Sequence, residues 1–171
     1  TLGGRKIWFD ATIGKLNHDD RGQYLGSFNT NDYIFIVKKD GTYYMTDFEI
    51  TNRYKSDEIF LINKFNADDI ISALHFNGKT KSYYLKRFKI ETTTLNTPFL
   101  FISRERASKL INIGLHKVPI LAFNYRLGNG DKKEKEATPQ SGEKEKKEDE
   151  AKEEDKDPKK PDLDNISRLF T

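Results

Sequence analysis

Short stretches of alternating apolar and polar positions recur along the first 127 residues. They fall at 6–10, 33–38, 42–48, 59–64, 70–76, 82–90, 99–103, 110–115 and 120–127. Each is rich in Ile, Phe and Tyr, side chains that suit a pleated, half-buried surface, so each is predicted to be a β-strand. Asp40-Gly41 and Asn77-Gly78 lie between such stretches. Both pairs tolerate the positive φ of tight hairpin turns. Gly14, Gly22 and Gly26 punctuate the first stretch and read as breaks. No segment holds a convincing 3.6-residue period. Residues 68–74 come nearest, but their β-branched content and the Asn-Gly that follows place them with the strands. The pattern predicts an all-β fold.

The chain also resembles itself. Phe28-Asn29-Thr30-Asn31-Asp32 returns as Phe65-Asn66-Ala67-Asp68-Asp69, and Gly41 returns as Gly78, both at an offset of 37. Tyr43-Tyr44 through Phe48-Glu49-Ile50 returns as Tyr83-Tyr84 through Phe88-Lys89-Ile90 at an offset of 40. A second hairpin three residues longer than the first accounts for the change. Repeats of about 40 residues with three or four strands each are the signature of blades. The expected repeats span about 1–50, 51–90 and 91–128. Three blades are too few to close a ring, so a partial or open array is expected, with short protected edges.

Charge separates this body from the rest. Residues 1–130 carry 19 basic and 13 acidic residues, a net of +6, whereas residues 131–171 carry 11 and 14, a net of −3. Of the aromatic residues only Phe170 lies beyond position 130. Residues 131–162 are almost all Lys, Glu, Asp and Pro with small polar residues, and cannot bury a core, so this tail is expected to be disordered. Residues 163–171 regain apolar spacing and read as a short terminal motif. With no Cys, disulfide scaffolds, thiolate metal sites and Cys nucleophiles are excluded. No apolar run approaches the ~18 residues of a membrane span. The opening Thr1-Leu2-Gly3-Gly4, without Met, reads as part of a longer protein.

Candidate active-site chemistry is sparse. His18, His75 and His116 stand apart, without metal-ligand spacing. His18-Asp19-Asp20 falls in a turn before Gly22. Asp57-Glu58 and Asp68-Asp69 are adjacent carboxylates, and neighbours on a strand face opposite ways, whereas acid–base pairs need a shared cleft. Neither a Gly-x-Ser-x-Gly elbow nor a Gly-x-x-x-x-Gly-Lys-Ser/Thr phosphate loop occurs. No catalytic, cofactor-binding or metal-binding residue is expected. What remains is a set of Lys and Arg near strand ends and turns. Blade repetition would line these up as a curved cationic track, suited to the regular phosphates of a bent duplex.

Several stretches resemble a known family. Lys6-Ile7-Trp8-Phe9-Asp10, Ile13-Gly14-Lys15-Leu16-Asn17, Arg21-Gly22 and Tyr24-Leu25-Gly26 carry the likeness at the start. Asp40-Gly41-Thr42-Tyr43, Thr46 through Arg53, Tyr84-Leu85-Lys86-Arg87-Phe88 and Ile90 through Thr94 continue it. Over about residues 2–127 the chain resembles the C-terminal domain of the A subunit of bacterial type IIA DNA topoisomerases, in its topoisomerase IV-like form. That resemblance implies a β-pinwheel of antiparallel blades with strands exchanged between neighbours. It implies a non-catalytic domain that binds and bends double-stranded DNA on a basic outer rim for ATP-dependent strand passage. It further implies an A-subunit homodimer and an A2B2 heterotetramer with the B subunit, formed through regions outside this chain. ATP and Mg would act outside it too, and the setting would be the bacterial cytoplasm at the nucleoid. The basic glycine-rich box of gyrase A subunits is reduced here to Gly3-Gly4-Arg5-Lys6, which implies relaxation and decatenation. Phosphate contacts are expected from Arg5, Lys6, Lys38, Lys39, Lys79, Lys81, Lys86, Arg87 and Lys89. The alternative is a propeller-like module for protein–protein interaction, using aromatic surface rather than charge.

Overall fold

Ile34-Phe35-Ile36-Val37 is four apolar residues in a row, and none is more than 2% exposed. Successive strand residues face opposite sides, so this run must feed two cores at once. In the computed structural model, which describes residues 3–92 and 94–115 and the backbone of 121–126 and 132–137, it does so. Ile34 and Ile36 join Ile7, Phe9, Leu16, Leu25, Phe28 and Ile62 on one side. Phe35 and Val37 join Met45, Ile71, Ala73, Phe101, Leu110 and Ile113 on the other. Each of the larger side chains contributes about 1.5–3 kcal/mol when fully buried.

The strands are β1 Arg5–Asp10, β2 Lys15–Asn17, β3 Gln23–Phe28, β4 Ile34–Lys38, β5 Thr42–Thr46, β6 Ile59–Lys64, β7 Ile71–Asn77, β8 Ser82–Phe88, β9 Phe99–Leu100 and β10 Lys109–Gly114. They form three antiparallel sheets ordered β2-β1-β3, β6-β4-β5-β9 and β10-β7-β8. One plan underlies all three. A first strand pairs on one side with the second strand of its hairpin and on the other with a third strand. Third strands of neighbouring sheets touch, β3 with β6 and β6 with β10. Lys64 ties the first of these contacts. Its Nζ donates to the Ser27 carbonyl and pairs with Asp32 Oδ2, each at 2.7 Å, and lies 5.2 Å from the Phe28 ring centre.

At the opposite edges, chain is exchanged. The segment between β5 and β6 reaches back to the first sheet, where Arg53 bridges to Lys15 and Tyr54 N donates to the Gly14 carbonyl at 2.8 Å. The segment between β8 and β10 reaches back to the second. There β9 pairs with β5 (Thr42 with Leu100, Tyr43 with Phe99), and Asn96 N donates to the Met45 carbonyl at 2.7 Å. The architecture is all-β and pinwheel-like, with no α-helix among the described residues. The chain falls into two compact units, Thr1–Leu115 and His116–Thr171. The described part of the second is a hairpin of β11 Leu121–Arg126 with β12 Lys132–Ala137.

Several expectations shift. The spans 1–50, 51–90 and 91–128 cut across the sheets, because exchange lets the middle sheet draw β4, β5, β6 and β9 from all three. The second hairpin is one residue longer than the first, not three. Five residues separate the partners Val37 and Tyr43, and six separate Phe76 and Tyr83. Gly41 and Gly78 therefore do different things. Gly41 takes φ +82 two residues before Tyr43, and a Cβ there would collide with the Ile102 side chain. The matching left-handed residue before Tyr83 is Lys81, φ +56. Gly78 instead leaves room for the Arg106 carbonyl. The strands β2 and β3 lie where glycines suggested breaks. Strand β12 lies in the charged stretch expected to be disordered from 131, since ladder hydrogen bonds do not require apolar side chains. Residues 138–171, with the terminal motif at 163–171, lie outside the described residues.

Gly41→Ala is expected to destabilise the fold by about 1–3 kcal/mol through left-handed strain and crowding of Ile102. A fall of several degrees in Tm would show this, and an unchanged Tm would contradict the turn geometry.

Candidate nucleic-acid interface

Register sorts the nine expected contact residues into two groups. Lys38 and Lys39 sit at the β4–β5 turn, and Lys79 and Lys81 at the equivalent β7–β8 turn. Lys39, Lys79 and Lys81 are exposed and make no ion pair among the described residues. The second turn is built by Asn77. Its Oδ1 accepts from Lys79 N at 2.9 Å and its carbonyl accepts from Lys81 N at 2.9 Å, which leaves both lysine side chains outside.

The other five lie toward the opposite end of the strands. Arg5 and Lys6 open β1 and are exposed. Arg87 pairs with Ser72, near the start of β7, and is half-buried. Lys89 follows β8 and is exposed. Lys86 faces the neighbouring sheet. Its Nζ donates to the Phe101 carbonyl at 3.0 Å and lies 5.7 Å from the Phe88 ring centre. Repetition thus aligns the turn lysines but separates them from the β8 cations.

Lys38 differs from its neighbours. Its Nζ lies 2.9 Å from Glu58 Oε2 and 3.5 Å from Asp40 Oδ2. A hydrogen bond to Glu58 holds its pKa above the usual lysine value. Glu58 also meets Lys55 Nζ at 3.1 Å, and the two lysines hold its carboxyl below the usual range. Lys38, Lys55 and Glu58 line an open groove of about 420 Å³, together with Arg53, Tyr44, Tyr54, Asn96 and Pro98. Lys38 and Tyr44 come from β4 and β5, and the two exchanged segments supply the rest of the lining up to β6. A compact turn starts the first of these segments: Asp47 Oδ1 accepts from Glu49 N at 3.3 Å and from Asn52 Nδ2 at 2.6 Å, and Asn52 N donates to the Glu49 carbonyl at 3.0 Å. That turn aims Arg53 and Tyr54 at the first sheet. Arg53, Lys55 and Glu58 lie in a different stretch of the sequence from Lys38, and the path of the chain into β6 brings them together.

The remaining polar candidates are local structure. His18 Nδ1 lies 3.1 Å from the Lys6 carbonyl, and Asp19 pairs with Arg21 at 3.1 Å. Buried Asn17 organises this loop, accepting from Asp19 N and Arg21 N and donating to the Arg21 carbonyl. His75 stacks on Tyr84, and burial lowers its pKa. No group of three or more His, Asp or Glu with metal-holding geometry occurs among the described residues. No helix among them is long and apolar enough to cross a membrane.

Comparison with known proteins gives a family match. The family model of the topoisomerase C-terminal domain of Bacteroidota matches residues 15–150, which is most of the chain. No curated protein and no solved structure matches.

Tyr54 carries a titration signature of the groove wall. Burial pushes its phenol from the usual 10 up to about 12. Between those values the unfolded state has released its proton and the folded state has not. Stability therefore falls as pH rises, by up to about 1.4 kcal/mol per unit. Denaturant titrations at about pH 9 and pH 11 should show a smaller loss in Tyr54→Phe than in the wild type. An equal loss would place the phenol in solvent.

Proposed function

The chain belongs to the bacterial topoisomerase C-terminal domain family, and from that membership we propose that it binds and bends duplex DNA without performing chemistry itself. The observation that carries this reading is the pair of equivalent hairpin turns presenting Lys39, Lys79 and Lys81 on adjacent sheets with no ion pair among the described residues. Cations at repeated positions suit phosphates at repeated positions. Contacts to phosphate set position and orientation without reading sequence. The net of +6 over residues 1–130 favours approach to a polyanion. Bending a duplex over consecutive turns brings more phosphates within reach and offsets part of the deformation energy.

In this reading the domain serves an A subunit of a type IIA enzyme of the topoisomerase IV kind, in the bacterial cytoplasm. It presents a DNA segment to a strand-passage machine assembled with B subunits as A2B2. ATP and Mg act in other regions of that enzyme, and no residue here is assigned to either. Among the nine expected contacts, the open turn lysines are the leading ones. Lys38 enters with its charge already engaged by Glu58, and Lys86 with its ammonium on the Phe101 carbonyl.

If about five phosphates are neutralised, a log–log plot of affinity against salt should have a slope of about −4 to −5. Mobility shifts of a random duplex across a salt series measure it. Lys39→Glu and Lys79→Glu should each weaken binding to all sequences alike. A flat slope would exclude the electrostatic account and favour the protein-interaction reading.

A further inference from the structure

The groove beside Lys38 is built like an anion site, and one of the protein's own carboxylates already fills it. Glu58 places Oε2 2.9 Å from Lys38 Nζ and Oε1 3.1 Å from Lys55 Nζ. Two oxygens of one anion on two ammoniums is also what the two non-bridging oxygens of a phosphodiester would make. Arg53 lines the same groove and makes no ion pair among the described residues. We propose that this groove is a second phosphodiester site, latched in the free protein by Glu58, which a duplex must displace to gain Lys38, Lys55 and Arg53. The proposal rests on the DNA-binding reading above and adds its regulation.

The main chain around Glu58 is fixed while its side chain has somewhere to go. Glu58 ends a short 3-10 turn, Ser56–Glu58. Its amide donates to the Lys55 carbonyl at 3.0 Å, and its own carbonyl accepts from Lys39 N at 2.8 Å. Its side chain is 37% exposed. Release therefore needs only a side-chain rotation. The pairing with lysines keeps the carboxyl ionised, so the latch stays charged near neutral pH.

The next sheet supplies an internal contrast. The residue just before its third strand, β10, is Ser108, where the middle sheet has Glu58 before β6. Ser108 Oγ accepts from Gly78 N at 2.8 Å and brings no charge. Lys79 and Lys81 consequently stand open, while Lys38 and Lys55 are latched. Contact begins at the open turn and extends into the latched groove. A tethered carboxylate acts at high effective concentration. A free phosphate ion competes with it poorly. A phosphate already tethered by contacts at the neighbouring turn competes on equal terms. The latch thus favours a continuous polyanion over small anions.

The test uses the full chain, Glu58→Gln, Lys38→Gln and the double variant, with a fluorescent random-sequence duplex as probe across a salt series. Glu58→Gln should bind several-fold more tightly at low salt. Its log–log slope should be steeper by about 1 to 2, because each freed ammonium adds about 0.9. Lys38→Gln should change wild-type affinity little and remove much of the gain in the Glu58→Gln background. Glu58→Asp, which keeps the charge, should show less gain than Glu58→Gln. If the wild type binds duplex and Glu58→Gln binds equally or more weakly at an unchanged Tm, the latch is overturned while the DNA reading stands. If wild type and Glu58→Gln both fail to bind duplex at any salt, the DNA reading itself falls, and the latch with it.

Discussion

The structure depends on one strand being buried on both faces. Ile34 and Ile36 serve the core shared with the first sheet, and Phe35 and Val37 the core shared with the third. A shift of one residue in the register of β4 would exchange the two sets. Ile34 and Ile36 would meet Ile71, Ala73 and Leu110, and Phe35 would enter the space among Ile7, Phe9 and Leu16. The register is pinned on both sides, by β5 (Ile34 with Thr46) and by β6 (Ile34 with Lys64). Because two cores meet at one strand, the three sheets hold together as a stack.

Chain exchange follows from the same stacking. In the second and third sheets, the segment between the second and third strands returns to the edge of the preceding sheet before completing its own. This covers the outer edges of β2 and β5, which would otherwise present unpaired backbone groups. It also decides the surface electrostatics. Arg53 and Lys55 are carried to Lys38 by a path that serves edge protection, and Glu58 arrives with them because the segment must turn into β6. The charged groove is a by-product of covering an edge.

The consequence for function is that equal positions are not equal in charge. Two hairpin turns of the same plan carry lysines, but in one of them Lys38 is neutralised by Glu58 and Asp40, while Lys39 beside it and Lys79 and Lys81 at the other turn make no ion pair among the described residues. A count of cations treats Lys38 and Lys79 alike, and their environments do not. In the DNA-binding reading proposed above, the groups available to a duplex are set by which turn holds an acid as well as by net charge.

Alternation and turn chemistry made most strands legible from residues alone. They identified the β4–β5 and β7–β8 hairpins, and the Tyr43 and Tyr83 match that reveals repetition. They failed where local signals mislead. The glycines near Lys15–Asn17 and Gln23–Phe28 read as breaks although these segments pair with β1. Only Phe99–Leu100 of the stretch 99–103 is strand, because Phe101 and Ile102 both turn into the core and end the alternation. Residue types and their local periods are properties of neighbours in sequence, so the all-β class and the lysine-bearing turns belong to the sequence. Exchange joins residues far apart in sequence, 58 positions for Thr42 with Leu100 and 38 for Lys15 with Arg53. Which sheet each strand completes, and which cations Glu58 neutralises, therefore came only with the tertiary structure, because Coulomb energy depends on distance in space and the chain closes those distances only when the edges pair.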